Sequence, residues 1–183
     1  ESERLREQLR LEREQAHTDA LTGLPNRLGY QEHAEQAVAH WRRHGHALSL
    51  AVVDVDLFKA INDTYGHQAG DKALRAVADL LRRRLRRETD FVARYGGEEF
   101  VVLMPETGIE DARAVAEDMR TAVEGTTFTF QGRPLSGITL SVGVAEFRAG
   151  ERLENAFERA DRRVLWAKQN GRNQVVASEV REA

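Results

Sequence analysis

The chain has 183 residues, of which 41% are hydrophobic and 31% are charged. This length and apolar content suit one domain with a short appendage and exclude an intrinsically disordered chain. The sequence contains no cysteine, which excludes disulfides, zinc–thiolate sites, iron–sulfur clusters and cysteine nucleophiles. Its 27 basic and 30 acidic residues give a net charge of −3, so we expect no nucleic-acid binding held mainly by phosphate contacts.

Residues 1–18 are almost all charged residues and good helix formers, which predicts an N-terminal helix. Leu5, Leu9 and Ala16 give this helix only a thin apolar stripe. Two interpretations are open: a solvated helix, or the end of a coiled-coil stalk that joins two chains. The segment is too short for the pattern alone to choose between them.

The longest uncharged apolar run, residues 47–53, is far shorter than the roughly 20 residues that a membrane span requires. No signal peptide is recognisable. Because the sequence begins at Glu1 rather than at a methionine, we expect a fragment of a longer protein. An upstream sensor, and in the full-length protein a membrane anchor, can precede this part, which we expect to be cytoplasmic.

The first half of the chain alternates helix and strand signals. Gly23 and Pro25 end the first helix, and Asn26 is a candidate N-cap for a second helix that reaches about residue 43. Residues 48–56 are short and rich in β-branched side chains, which predicts a buried strand. A short helix follows, and then an amphipathic helix is expected from Lys72 to about Arg86.

The second half continues the alternation. The pattern predicts strands over 91–95 and 99–104, a helix opened by a capping box at 107–110, and strands over 126–130 and 135–147 around a turn at 132–134. A last helix with Leu153, Ala156, Phe157, Ala160 and Val164 inward ends at Gly171, before a short strand at 174–177. Interleaved helices and strands predict one α/β sandwich, a sheet covered by helices.

Two acidic pairs are candidates for chemistry. Asp54 and Asp56 end the most hydrophobic strand, where a period of two puts both carboxylates on one face. Glu98 and Glu99 follow the Gly-Gly turn. Each pair is also consistent with a strand end or a turn in solvent. If the strands are neighbours, carboxylates about 5 Å apart repel by roughly 3 kcal/mol per pair. Two divalent cations would offset this repulsion and suit a phosphoryl-transfer site.

Several ordered motifs resemble those of one family. Gly96-Gly97-Glu98-Glu99-Phe100 resembles the signature of the GGDEF family, the diguanylate cyclases, in its GGEEF form. Further similar blocks occupy residues 19–27, 54–63 with 66–71, 141–145 and 168–172, so that the resemblance extends from about residue 18 to residue 175. One Gly-Gly-Glu-Glu alone would be weak, whereas several blocks in the family's order are specific.

The resemblance implies a palm-like fold, similar to class III nucleotide cyclases, with a mostly antiparallel sheet and helices on both faces. It divides the chain into a stalk (1–18), a GGDEF domain (19–178) and a tail (179–183). It implies that two GTP become cyclic di-GMP (c-di-GMP) and two pyrophosphates. Each domain of a homodimer holds one GTP, and each 3′-hydroxyl attacks the opposite α-phosphate. Two Mg²⁺ per active site are implied, with Mn²⁺ as a possible substitute.

The resemblance also implies roles for single residues. It makes Asp54, Glu98 and the main-chain oxygen of Val55 metal ligands, with Asp56 beside them as a further carboxylate ligand. One glutamate of the hairpin takes the proton of the 3′-hydroxyl. Because a metal-bound carboxylate is a poor base, physical chemistry favours Glu99, whereas family usage often names Glu98. The choice stays open.

The residues implied in substrate binding fall into three groups. Guanine contacts are implied for Asn62 and Asp71, and a substrate contact for His67; on their own, Asn62 and Asp71 are also plausible helix caps and His67 a turn residue. The phosphate-binding residues are Lys59, which also acts in catalysis, Lys168, Arg172 and the backbone near Phe58. Gly96 and Gly97 lack a Cβ, so the backbone can approach the nucleotide, although two glycines also suit a tight turn.

A regulatory site is implied before the hairpin. Arg87 and Asp90 match the family's Arg-x-x-Asp site, where the c-di-GMP product binds as an inhibitor. As bare sequence the pair is also consistent with a surface ion pair worth under about 1 kcal/mol. In some relatives an arginine on the next helix completes the site across the dimer, but Ala114 and Asp118 occupy the expected positions here.

Two other classes of function remain beside an active cyclase. A degenerate GGDEF module would bind GTP or c-di-GMP and signal without catalysis. A purely structural dimerisation domain would leave the acidic pairs and the basic residues unexplained.

Overall fold

The structure is a computed structural model that describes residues 1–135 and 137–180. The predicted tail therefore lies partly outside the described residues, as does residue 136 of the predicted 135–147 strand. The elements in chain order are α1 (Ser2–His17), α2 (Arg27–His44), β1 (Leu48–Val55), α3 (Phe58–Tyr65), α4 (His67–Arg83), β2 (Phe91–Arg94), β3 (Glu99–Pro105), α5 (Ile109–Glu124), β4 (Phe128–Phe130), β5 (Arg133–Leu135), β6 (Leu140–Glu146), α6 (Leu153–Gln169) and β7 (Gln174–Val176).

The central sheet has five strands in the order β2-β3-β1-β6-β7. The first four strands pair antiparallel, and only β6 and β7 run parallel. Strands β4 and β5 form a separate two-stranded ribbon. The prediction of a mostly antiparallel α/β fold is therefore confirmed. The central position of β1 places its carboxyl-terminal end, and Asp54, in the middle of one edge of the sheet.

Alternation along β1 divides the core into two layers. Ala51, Val53 and Val55 pack with α3, α4 and α5 on one face, whereas Leu50 and Val52 pack with α2 and α6 on the other. Helices thus cover both faces, as predicted. By the same alternation Asp54 points to the α6 side, where side chains of α6 can reach it.

One glycine in β6 allows the backbone of helix α6 to lie against the sheet. A Cβ at Gly143 in β6 would stand 2.0 Å from the carbonyl oxygen of Ala160 and 2.8 Å from the nitrogen of Val164. Both atoms belong to the backbone of α6 and cannot rotate away. Gly143 therefore fixes the distance between β6 and α6, and with it the position of the side chains that α6 sends toward Asp54.

Helix α1 projects from the domain. It buries none of its side chains, and Leu5, Leu9 and Leu11 are 60%, 58% and 47% exposed. The predicted N-terminal helix is confirmed, and the interpretation as a stalk stays a prediction. Within residues 1–135 and 137–180, every helix is too short or too polar to cross a lipid bilayer.

The prediction for α4 was wrong at both ends. The helix begins at His67 rather than Lys72 and ends at Arg83 rather than Arg86. A single residue, Gly66 with a φ of 93°, separates α3 from α4. Only a residue without a Cβ adopts this conformation at low cost, so the turn is far tighter than the polar sequence suggested. Asp71 therefore lies inside α4 and is not its N-cap.

The predicted capping box at 107–110 is also absent. The Thr107 hydroxyl donates to the carbonyl of Pro105 at 2.9 Å instead of capping α5. The Ile109 amide at the start of α5 donates to Glu146 Oε1 at 3.0 Å. A carboxylate from the end of β6 thus takes the place of the local cap.

The segment 126–147 is more broken than predicted. Gln131 and Gly132, with φ of 50° and 76°, form the turn of the β4–β5 ribbon, which is the type of turn that suits a two-residue hairpin. Pro134 lies in β5 rather than in the turn. Gly137, with a φ of 79°, precedes β6, which starts only at Leu140.

We predict that Gly143→Ala lowers the free energy of unfolding by about 1–3 kcal/mol, because the added methyl group cannot fit against the α6 backbone. Urea denaturation followed by circular dichroism measures the change. Gly97→Ala is the matched control, since a Cβ there meets nothing within 4 Å. Equal stability of the two variants would contradict the proposed tight β6–α6 contact.

Candidate functional site

The two acidic pairs meet at one end of the sheet. Asp54 in β1 is the register partner of Glu99 in β3. The Val55 amide donates to the carbonyl oxygen of Glu98 at 3.0 Å. The strands that carry the pairs are therefore neighbours, as the interpretation of the acidic pairs required.

Burial and neighbouring carboxylates make the ionised form of Asp54 unfavourable, and a nearby cation stabilises it. Its side chain is only 8% exposed, and its Oδ2 lies 2.7 Å from the Lys168 ammonium. Burial raises the pKa of Asp54 to about 6; Lys168 opposes the shift, and Glu98 and Glu99 add to it. Burial and the nearby Asp161 also raise the pKa of Glu99. Positive charge at this position thus stabilises the ionised carboxylates.

The side chain of Asp56 forms hydrogen bonds within the protein. It is buried, and its Oδ1 accepts a hydrogen bond from the Ser141 hydroxyl at 2.6 Å. Its Oδ2 accepts from the Thr139 hydroxyl at 2.8 Å and from the Asn173 amide at 3.0 Å. Because both oxygens accept hydrogen bonds from the protein, Asp56 has less capacity left for a cation than Asp54, and its assignment as a metal ligand stays a prediction. Asp56 joins the ends of β1 and β6 to the turn after α6.

We predict that Asp56→Asn lowers the free energy of unfolding by about 1–3 kcal/mol even without divalent cations, because an amide nitrogen cannot accept these hydrogen bonds. Thermal or urea unfolding in EDTA measures it. The exposed Asp63→Asn is the matched control. A stability change seen only when Mg²⁺ is present would instead support Asp56 as a metal ligand.

The predicted metal ligands fit a hard cation, but they do not form a complete cage. Within residues 1–135 and 137–180, no three His, Asp or Glu side chains are arranged to hold a metal ion. The predicted set offers two carboxylates, Asp54 and Glu98, and the main-chain oxygen of Val55. Mg²⁺ commonly takes few protein ligands and completes its shell with water and substrate phosphates, so this donor set is compatible with Mg²⁺ bound together with a nucleotide.

The two glycines of the hairpin have different surroundings. A Cβ at Gly96 would stand 2.7 Å from Glu99 Oε1, so this glycine makes room for the glutamate. A Cβ at Gly97 would meet nothing within 4 Å, so the backbone there borders open space. Gly97 is therefore the position at which a ligand can approach the main chain.

Arg94 ties this hairpin to the opening motif. Its guanidinium donates to the carbonyl oxygens of Gly96 at 3.2 Å and Gly97 at 2.8 Å, and to Asp19 Oδ1 at 3.2 Å. Asp19 Oδ2 also accepts from the amide and hydroxyl of Thr22. Hydrogen bonds from Thr22 and Arg94 outweigh burial and lower the pKa of Asp19. Sequence reasoning missed Arg94; the Asp of the opening motif was the only hint of a partner.

The predicted guanine-binding residues surround the tight α3–α4 turn. A Cβ at Gly70 would stand 1.8 Å from Asn62 Oδ1, so only glycine leaves space for this side chain. Asn62 Oδ1 is buried without a hydrogen-bond partner among the described residues. The main-chain oxygen of Asn62, not its side chain, accepts from Gly66 at the end of α3. Packing thus holds the Asn62 amide in place, while Asp71 and His67 of α4 are exposed.

The predicted phosphate-binding residues lie in two places, at the start of α3 and at the end of α6 with the turn that follows it. Lys59 is exposed in its first turn, and Leu57 at the N-cap, with a φ of 54°, makes no side-chain cap. The backbone amides that begin with Phe58 are therefore available to an anion. Arg172, with a φ of 61°, is exposed in the turn after α6. Lys168 pairs with Asp54 at 2.7 Å, and its assignment as a phosphate ligand stays a prediction.

The predicted regulatory pair is not a surface ion pair. Asp90 is buried, and its Oδ2 accepts from the Arg87 amide at 3.1 Å. The Arg87 guanidinium instead donates to the carbonyl of Glu106 at 2.8 Å. Asp90 Oδ1 is buried and has no partner among the described residues, and burial raises the pKa of this carboxyl. On α5, Asp118 pairs with Arg84 at 3.4 Å.

Comparison with known proteins identifies the family. Residues 16–174 match the family described as "Diguanylate cyclase, GGDEF domain". The chain belongs to the GGDEF domain family. The match covers every motif on which the resemblance was based, including β1 and the hairpin between β2 and β3.

Three similar proteins illustrate the relationship. Diguanylate cyclase DgcP of Pseudomonas aeruginosa is 51% identical over 90% of this chain, which spans only 24% of that protein. The coiled coil and GGDEF domain of DgcB from Caulobacter crescentus, in complex with c-di-GMP, is 37% identical with a TM-score of 0.92, covering 97% and 93% of the two chains. The active GGEEF domain of a diguanylate cyclase from Vibrio cholerae is 32% identical with a TM-score of 0.72, covering 79% and 92%.

Proposed function

We propose that this chain is the catalytic domain of a diguanylate cyclase, which condenses two GTP into c-di-GMP and two pyrophosphates. The observation that carries the proposal is the cluster at the sheet edge, where buried Asp54 meets Glu98 and Glu99 beside the accessible backbone of Gly97. The similarity to DgcP and to a GGEEF domain described as active supports it.

Asp54, Glu98 and the main-chain oxygen of Val55 would hold Mg²⁺, two ions per site, with Mn²⁺ as a chemically suitable substitute. Bound there, the cations would neutralise phosphate charge and make the α-phosphate more electrophilic. Asp54 keeps Lys168 close by, so that the ammonium stays at the acidic edge of the site. In this scheme Asp56 mainly positions the surrounding strands through its hydrogen bonds to Thr139, Ser141 and Asn173.

The remaining hairpin carboxylate accepts the proton of the attacking 3′-hydroxyl. Glu98 is engaged as a metal ligand in this scheme, which leaves Glu99 as the better base. The missing Cβ of Gly96 allows the Glu99 carboxylate to lie against the turn. Oxygen–phosphorus bond formation then proceeds as pyrophosphate leaves from the α-phosphate.

Other residues position the nucleotide. Asn62, held by its packing against Gly70, and Asp71 present an amide and a carboxylate suited to the donor and acceptor edge of guanine, with His67 beside them. Lys59, Arg172 and the Phe58 amide bind the triphosphate, and Lys59 also stabilises the charge on the transferring phosphoryl group.

The reaction joins two nucleotides, so a homodimer is required in which each domain holds one GTP. The exposed leucines of α1 provide a surface for such pairing through a coiled coil. We expect a sensor in the upstream part of the full-length protein to control this pairing. The described coiled coil of the similar DgcB structure supports this arrangement.

We predict that the chain incubated with GTP and Mg²⁺ yields c-di-GMP, and that Glu98→Gln lowers turnover by about 100-fold or more, because it removes a metal ligand. Chromatography of the products measures turnover, and circular dichroism checks the fold. The exposed Glu158→Gln is the matched control. Near-normal turnover in Glu98→Gln would remove the metal assignment.

If the wild-type chain forms no product, fusion to a strong parallel coiled coil separates two explanations. Restored turnover shows that only dimerisation was missing. Continued absence of product while GTP or c-di-GMP still binds shows a catalytically silent module that acts as a receptor.

We further propose that c-di-GMP inhibits the domain by binding at Arg87 and Asp90. The buried, unpartnered Asp90 Oδ1 is an acceptor that a guanine N–H can satisfy. The arginine that some relatives contribute from the next helix has no counterpart at Ala114 or Asp118, and Asp118 already pairs with Arg84. Product binding is therefore expected, whereas locking across the dimer stays open, since Arg113 and Arg120 lie close to these positions.

We predict that Arg87→Ala raises the inhibition constant of added c-di-GMP by about tenfold or more, through loss of charge-assisted hydrogen bonds. Initial rates at increasing c-di-GMP concentration measure the constant. The neighbouring, exposed Arg86→Ala is the matched control. An unchanged inhibition constant in Arg87→Ala would place the inhibitory site elsewhere.

A further inference from the structure

An arginine-lined cleft lies apart from the residues assigned to GTP, metal and product. It has a volume of about 600 Å³ and opens beside α6, against the chain that follows β7. Arg148, Arg159, Arg162 and Arg163 line it, together with Trp166 and Glu179. None of the residues that we assign to nucleotide, metal or product binding is among those that line it.

Arg163 is the unusual member of this cleft. It is 5% exposed, and its Nη1 donates to the carbonyl oxygen of Val144 at 2.6 Å and, at the limit of a hydrogen bond, to that of Ala177 at 3.5 Å. Across residues 1–135 and 137–180, no carboxylate lies within ion-pair distance of this guanidinium. Burial lowers the pKa of Arg163, Arg159 and Arg148 lower it further, and the more distant Glu179 opposes the shift. A buried cation among like charges is costly without an anion.

The charges around Arg163 do not cancel. Arg148 pairs with Glu179 at 2.6 Å, and Arg159 pairs with Glu151. Arg162 is exposed and makes no ion pair with any described residue. The lining holds four arginines and one glutamate, Glu179; when Glu151, the partner of Arg159 outside the lining, is included, two net positive charges remain, although the whole chain has a net charge of −3. The cleft is therefore a local positive field in an acidic chain.

A purely structural role explains only part of this arrangement. Strand β7 ends at Val176, so the Val144 carbonyl lies just beyond the last pairing of β6 with β7, and Arg163 supplies a donor in place of a strand. That role accounts for the position of Arg163. It does not account for the convergence of Arg148, Arg159 and Arg162 on the same cleft.

We propose that this cleft binds a small phosphate-bearing polyanion, of the class of pyrophosphate or a nucleoside polyphosphate, at a site separate from the catalytic one. Guanidinium groups match phosphate oxygens with paired hydrogen bonds. The volume falls within the roughly 300–1,000 Å³ of small-ligand pockets. Trp166, which is partly exposed, offers a flat apolar surface beside the arginines. The proposal does not rest on cyclase activity.

The test uses the two tryptophans of the chain, Trp41 and Trp166, as reporters. Inorganic pyrophosphate is titrated into the chain without divalent cations and at constant ionic strength, while the indole N–H signals are followed by NMR. We expect a saturable shift of the Trp166 signal, with the Trp41 signal unchanged. Arg162→Gln should weaken binding by about tenfold, and the exposed Arg133→Gln should not.

Two controls, the Arg172→Gln variant and a titration with sulfate, can show that the proposal is wrong. Arg172→Gln removes a phosphate ligand of the proposed catalytic site and should leave the Trp166 titration unchanged. If Arg172→Gln abolishes the shift and Arg162→Gln does not, the signal comes from the nucleotide site and the proposal is wrong. No saturable shift, or an equal one with sulfate, also overturns it. Tighter binding of ATP than of pyrophosphate would identify the ligand as a nucleotide.

Discussion

The candidate active site depends on the hydrogen bonds that one buried carboxylate, Asp56, accepts. Asp56 accepts hydrogen bonds from two segments that are far apart in sequence: Thr139 and Ser141 around the start of β6, and Asn173 after α6. This arrangement fixes the end of β1, and so Asp54, relative to α6 and Lys168. These hydrogen bonds hold in place the backbone on which the crowded acidic side chains stand.

The sequence predicted elements best where the signal was local. The apolar strands, the hairpin at Gly96 and Gly97, and the N-cap at Asn26 all formed as expected. The start of α4 differed because of the local turn at Gly66, whereas the cap of α5 differed because a distant residue replaced a local one. Glu146 caps α5 from 37 positions away, so the Thr107 box was unnecessary. A periodic pattern carries no information about such partners.

The site shows the same division. Motifs identified the residue types and the neighbouring strands of Asp54 and Glu99, because the alternation of a strand determines which side chains share a face. They did not separate Asp56, which organises the site, from Asp54, which remains open to a cation. They also gave no sign that Gly70 makes space for Asn62, since that contact depends on how closely α3 and α4 pack.

The link from Asp19 through Arg94 to the hairpin also determines where the domain can be cut. The strands begin at Leu48, and α2 begins at Arg27, so a shortened chain that starts after Asp19 would still contain the whole sheet and its helices. It would lack the carboxylate that pairs with Arg94, whose guanidinium supports the carbonyls of Gly96 and Gly97. Such a chain would therefore keep every strand of the sheet and lose one of the contacts that hold the hairpin in place.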